Sequence, residues 1–136
     1  MSLYANGQDI EMLKRIDTVV ANVDFTASKG ALDTLKQGLL NEGGTTSDIF
    51  FLRQDSILQK IYVINKSKNY SEKIVFQNGK PVFAQFCKPN GEKWTFYLVG
   101  ENTYFKEDTK FNKGIGSYLY SKIDAYLDMF KGQPDK

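Results

Sequence analysis

The sequence predicts an α+β domain in which N-terminal helical segments and a C-terminal helix pack on one face of an antiparallel meander sheet of about five or six strands. Two observations carry this expectation. Apolar residues recur at three- and four-residue steps near both ends of the chain. Between Asp48 and Phe105, short β-rich runs alternate with turn residues, among them the hairpin pairs Asn78-Gly79 and Asn90-Gly91. The chain has 136 residues, 41% of them apolar, which suffices for one core, so a single domain is placed at residues 9–132 with residues 133–136 as a flexible tail.

In chain order, Ile10, Leu13, Ile16, Val20 and Val23 mark an amphipathic helix from Asp9, its expected cap, to about Val23. A second helical stretch is expected from Ser28 to Leu40, where Ala31, Leu32, Leu35, Leu39 and Leu40 keep the period against the weakening effect of Gly30 and Gly38. Gly43-Gly44 then stops the helix. Strands are drawn at 48–53, 56–64, 70–77, 80–88, 92–99 and 102–106 and joined in sequence. From Lys113 to Phe130, Ile115, Leu119, Ile123, Tyr126 and Phe130 return to helical spacing, and Gly132 with Pro134 closes the segment.

Two-residue hairpin loops fix register. Asn78-Gly79 places Ile74 opposite Phe83, and Asn90-Gly91 treated alike places Cys87 opposite Trp94 and Gln85 opposite Phe96. One face then carries Ile74, Phe76, Phe83, Cys87, Trp94, Phe96 and Leu98 and reads as the core face under the helices. The opposite face holds Lys73, Val75, Val82, Ala84, Phe86, Lys93, Thr95 and Tyr97, a mixture suited to contact with a ligand. The candidate binding residues are Phe86 and Tyr97 as aromatic anchors, flanked by Lys73 and Lys93. For the strand at 56–64 the register is open: Ile57, Ile61 and Val63 face the core, or Leu58, Tyr62 and Ile64 do.

Composition removes several classes of chemistry. No His is present, which excludes Ser-His-Asp and Cys-His nucleophiles and His-ligated zinc. One Cys excludes an intrachain disulfide and a CxxC pair, and Cys87 among strand aromatics reads as an inert core thiol. A formal charge of +2 and the lack of an aromatic stacking series argue against nucleic acid. Lys113-Gly114-Ile115-Gly116-Ser117 lacks the spacing of a phosphate loop and reads as the entry to the last helix. No run of eighteen apolar residues is present. No cofactor, metal site or catalytic residue is therefore assigned.

The residues Ile61-Tyr62-Val63, Lys73 to Ala84 with its central Asn78-Gly79-Lys80, and Lys93-Trp94-Thr95-Phe96-Tyr97 resemble the small exported proteins of Bacteroidetes-type bacteria, whose sheets repeat an aromatic NGK hairpin. The likeness spans roughly residues 9 to 106 and departs from the family's RYYF-like strand at Lys93-Trp94-Thr95. It implies a removed signal peptide and a periplasmic or surface location, and it brings no established activity and no catalytic residue. Tyr4-Ala5-Asn6-Gly7-Gln8, with small residues at signal-peptidase spacing, agrees with that location, residues 1–8 being read as an expression scar or signal remnant. The expected function is a non-enzymatic exported module binding a protein or an envelope glycan. A rival is a small hydrolase or lyase in which at least two of Glu101, Glu107, Asp108, Tyr97 and Tyr104 converge in a pocket. A third is an inhibitor or immunity-type protein.

Overall fold

Ile74-Val75-Phe76 and Phe96-Tyr97-Leu98 are unbroken apolar runs, and successive side chains of a strand point to opposite faces, so a sheet containing both must be covered on both sides. The computed structural model of the chain, which describes residues 7–41, 43–99, 102–105 and 113–132, has that architecture. Its elements are α1 (Gly7–Ser28), β1 (Asp33–Leu40), β2 (Thr46–Gln54), β3 (Ile57–Asn65), β4 (Tyr70–Gln77), β5 (Lys80–Cys87), β6 (Lys93–Val99), β7 (Asn102–Phe105) and α2 (Lys113–Lys131). Among the described residues the strands form a seven-stranded antiparallel meander in the order β1 to β7. The α+β class and the meander are those expected from sequence, with one strand more. No helix among the described residues is long and apolar enough to cross a membrane.

The added strand is β1, and it replaces the helix expected from Ser28 to Leu40. Leu35 and Leu39 are four residues apart, a step that is in phase for both a helix and a strand. The structure resolves the ambiguity at period two, with Leu35, Gln37 and Leu39 half-buried and their neighbours exposed. What prevents α1 from running on is Gly30, at φ +72°, where the Gly30 N–H bonds the Ala27 carbonyl (3.0 Å) and the Ala31 N–H the Thr26 carbonyl (3.3 Å). This is a left-handed glycine cap that only a residue without Cβ adopts cheaply. α1 itself starts before Asp9, which therefore lies inside the helix. Residues 1–6 of the expected signal remnant and the tail at 133–136 lie outside the described residues.

The helices sit on opposite faces, not on one. Leu119, Ile123 and Tyr126 of α2 pack with Ile49, Phe51, Ile61, Val63, Ile74 and Phe96, and the Phe130 ring lies 5.4 Å from that of Phe51. Ile16, Val20 and Val23 of α1 pack on the other face with Val75, Phe83, Tyr97 and Tyr104. Three polar pins fix α1 there. The Lys60 and Lys73 ammonium groups each donate to Asp24, at 2.9 Å, and the Tyr97 hydroxyl donates to Asp17 at 2.7 Å.

Register explains the altered faces of β5. The Asn78-Gly79 hairpin has the expected two-residue loop, with φ +53° and +79° as a type I′ turn requires, and it pairs Phe76 with Pro81. One step further a bulge intervenes, so that Val75 faces Phe83 and Ile74 faces Ala84. Pro81 has no N–H to give the ladder, and bulges are where a strand tolerates proline. The next hairpin shifts by one residue again. Gly91 N–H bonds the Lys88 carbonyl (3.0 Å) and Lys88 N–H the Glu92 carbonyl (2.7 Å), with Gly91 at φ +87°, so Pro89-Asn90-Gly91 is a three-residue loop and Phe86 faces Trp94. The two shifts cancel in β6, whose Phe96 and Leu98 face α2 as expected. Between them Phe83 and Cys87 exchange faces with Ala84 and Phe86. A further bulge between Leu52 and Arg53 gives β3 a mixed answer: Leu58, Ile61 and Val63 are buried under α2 and Ile57 is exposed.

Burial pushes the Asp24 carboxyl up, but the hydrogen bonds and charges of Lys60 and Lys73 outweigh it and hold the group below its usual range. A carboxyl depressed in the folded state stabilises it above the unfolded pKa of about 3.9, and the contribution is lost as pH falls through the folded value. Because the pair is partly exposed, Asp24→Asn is expected to cost only about 1 kcal/mol at neutral pH. Urea unfolding should show that difference undiminished down to about pH 5 and shrinking below about pH 4.

Candidate functional site

The four residues expected to form a binding surface do not come together. Lys73 is half-buried on the α1 face, engaged with Asp24, its ammonium 5.5 Å from the Phe83 ring. Tyr97, 2% exposed, lies beneath α1 with its ring edge-on to Phe83 at 5.6 Å, and burial first, then Asp17, pushes its hydroxyl well above the usual tyrosine pKa. Lys93 is exposed and opposite Cys87. Phe86 is on the other face, 6% exposed, packed on Phe96 at 5.8 Å. The surface pictured as open is thus occupied by α1, which the expectation of both helices on one face left out. Of the rival catalytic set, Tyr97 and Tyr104 lie buried against α1, and Glu101, Glu107 and Asp108 are outside the described residues.

A different group of side chains converges on the α2 face. On β4, Tyr70, Glu72, Ile74 and Phe76 occupy one side of the strand, the last two in the core and the first two at the end where the β1–β2, β3–β4 and β5–β6 loops gather. Glu72 is 3% exposed, and its carboxylate is fully partnered. The Tyr126 hydroxyl donates to Oε1 at 2.7 Å, while the Tyr70 hydroxyl and the Lys122 ammonium each donate to Oε2 at 2.6 Å. Lys122 and Tyr126 are one helical turn apart, so both reach the same carboxylate from one flank of α2. The Lys122 ammonium also stands 5.2 Å from the Phe86 ring centre and 5.8 Å from that of Tyr70.

Beside this cluster opens a cleft of about 420 Å³ between α2 and the sheet end. Its floor is Ser47, Val63 and Asn65, and its rim is Leu39, Asn41, Thr45 and Lys68. Asn41 donates to Ser47 Oγ at 2.8 Å, and Asn65 donates to Thr45 Oγ1 at 3.3 Å while accepting from the Lys68 N–H at 3.1 Å. The lining therefore combines the aliphatic Leu39 and Val63 with amides, hydroxyls, one ion pair and two tyrosine rings, at the lower end of the size range of small-molecule sites. Among the described residues no group of His, Cys, Asp or Glu is placed to hold a metal ion. The chain matches no protein-family model, no curated protein and no solved structure.

At the far side of Tyr70 the row continues to the β5–β6 hairpin. The Lys88 ammonium lies 6.0 Å from the Tyr70 ring centre and 4.5 Å from that of Trp94. Glu92 accepts from the Trp94 indole N–H and, at 3.3 Å, from the Asn90 amide. These donors hold the exposed Glu92 carboxyl below its usual range, so it is an anion at neutral pH.

Sequence reasoning passed over Tyr70, Glu72, Lys122 and Tyr126. The signal was nevertheless there: Glu72 is a charge on the same strand phase as Ile74 and Phe76, where a core face tolerates one only if it is paired. Removing the partner leaves that charge unmatched, so Lys122→Met is expected to cost about 3 kcal/mol in urea unfolding. Glu72→Gln with Lys122→Met should cost less than the sum of the single changes by at least about 1 kcal/mol, the signature of a coupled pair.

Proposed function

We propose that the protein is a non-enzymatic binding module that holds a saccharide in the cleft beside Glu72, and that it does so in the cell envelope, where such a ligand is met. The observation that carries this reading is the lining itself. Asn41, Thr45, Ser47 and Asn65 offer neutral donors and acceptors in a space of sugar size, with Lys68 as a cationic donor at the rim, beside an aromatic ring and a carboxylate locked by its own donors. Sugars are recognised by such convergent amides, hydroxyls and carboxylates with a ring to cover the apolar C–H face, and rigidly held partners lower the ordering cost of binding. The placement of the protein outside the cytoplasm is supported by the small residues at Tyr4 to Gln8 and by the resemblance of the hairpin segments to exported proteins.

Binding is favoured over hydrolysis by the carboxylates. Glycoside cleavage by the common route needs two of them facing each other across the bond, one as acid and one as base or nucleophile. Glu72 is the one carboxylate among the described residues of the cleft, and Tyr70, Tyr126 and Lys122 already occupy it.

Isothermal titration calorimetry with glucose, N-acetylglucosamine and their β-1,4-linked disaccharides is expected to detect binding of at least one. Asn41→Ala and Lys68→Ala, each checked for an unchanged melting temperature, should weaken it roughly fivefold, the worth of about one hydrogen bond. No binding across the set, or variants that bind like the parent, would overturn the assignment. Proton NMR of the same mixtures should show the disaccharide intact; its cleavage would instead establish the carboxylate-dependent hydrolase.

A further inference from the structure

We infer that the cleft is one end of a longer groove whose far end is Trp94, and that the ligand is an extended, β-linked oligosaccharide lying across the strands; this rests on the saccharide reading of the cleft. The register supplies the row of side chains from which this groove is inferred. Leu39 pairs with Ser47 and Asn65 with Tyr70, and the neighbouring pairs Asp48 with Ile64 and Ser71 with Cys87 set Ser47 beside Asn65 and Tyr70 beside Lys88. Lys88 in turn faces Glu92 through their backbone bond. One row of side chains thus crosses β1 to β4 on the α2 face, from Leu39 to Tyr70, and continues through Lys88 and Glu92, which flank the β5–β6 loop. The next row inward is Ile49, Val63, Glu72, Phe86 and Trp94.

The members of that row on β1 to β4 line the cleft, and beyond them stand Lys88 and, one row inward on β6, Trp94. Trp94 is a large ring kept 36% exposed on a face where Phe86 and Phe96 are buried. Its orientation is set by Glu92, which Asn90 holds in turn through its side chain and by accepting the Glu92 N–H at 2.9 Å. A ring that is oriented before the ligand arrives offers stacking area at little cost in side-chain entropy. Lys88, poised between the Tyr70 and Trp94 rings, closes the interval with a donor for ring hydroxyls. Strands repeat every 4.8 Å or so, about the length of one pyranose unit, so a ligand crossing from Tyr70 to Trp94 adds about two units to whatever fills the cleft. β-1,4-linked chains are straight and ribbon-like and follow such a row, whereas α-linked chains coil away from it.

Trp94 is the only tryptophan of the chain, so its emission reports this end of the groove and nothing else. The experiment is a parallel calorimetric and fluorescence titration with cello- and N-acetylchito-oligosaccharides from monosaccharide to pentasaccharide, on the full chain and on Trp94→Ala. The expected result is monosaccharide binding without change in emission, and a pentasaccharide that shifts the emission and binds about tenfold more tightly. Trp94→Ala should remove the tenfold gain and leave monosaccharide affinity alone. A pentasaccharide that binds no better than the monosaccharide, with emission unmoved, would overturn the groove and leave the cleft standing. Absence of calorimetric binding at every length would overturn the cleft and the groove together. Should Trp94→Ala melt early, Trp94→Phe serves instead, since it keeps a ring and is expected to retain most of the length-dependent gain.

Discussion

Everything in this molecule follows from a sheet that is apolar on both sides of its middle strands. Such a sheet cannot present either face to water, and two helices drawn from the two ends of the chain provide the cover. A seven-stranded sheet is roughly 29 Å wide, however, and a helix with its side chains only about 10 to 12 Å across. Each helix crosses many strands but covers only part of their length. On the α2 face the uncovered remainder is the end where three hairpin loops meet, and there the floor changes from Ile49, Ile74 and Phe76 to Ser47, Asn65, Tyr70 and Glu72. The cleft is what a helix narrower than its sheet leaves over, and its polarity is the sequence's adjustment to that exposure.

The strands were legible because turn chemistry is local. Asn78-Gly79, Asp55-Ser56 and Pro89-Asn90-Gly91 each place a residue at positive φ, and the strand limits expected around them agree with those observed within one or two residues. Which face a residue takes was harder, because a single residue gained or lost inverts everything beyond it. The bulge after Pro81 and the third loop residue at Gly91 are two such inversions in succession. They cancel, which is why Phe96, Leu98 and Tyr97 fell on the expected sides while Phe83 and Phe86 between them did not.

Both terminal helices read correctly, while the strand at β1, the face taken by α1 and the site failed to read for different reasons. Leu35 and Leu39 satisfy two periodicities at once, and only the pairing of β1 with β2 decides between them. That α1 lies on the far face was written in Ile74-Val75-Phe76, since a strand with one face in water would have alternated there. Glu72 was legible as an intruder on a core phase. Its partners on α2 were not, because Lys122 and Tyr126 come from some fifty residues away and reach it only through the crossing position of α2.

That crossing position is the role best suited to Glu72. An ion pair taken out of water returns about what its desolvation costs, so it is a poor source of stability compared with apolar residues of the same volume. It is a strict geometric constraint, because the penalty for parting the charges is large. Apolar packing of Leu119, Ile123 and Phe130 alone would tolerate some sliding or rotation of α2 over the sheet. Two donors one turn apart on the helix, both bound to one carboxylate on β4, tolerate little of either. The opposite face repeats the device, with Asp24 of α1 bridging Lys60 on β3 and Lys73 on β4. A cleft bounded by a helix keeps its shape only if the helix keeps its place, and here that requirement is met by carboxylates at the margins of two oily layers.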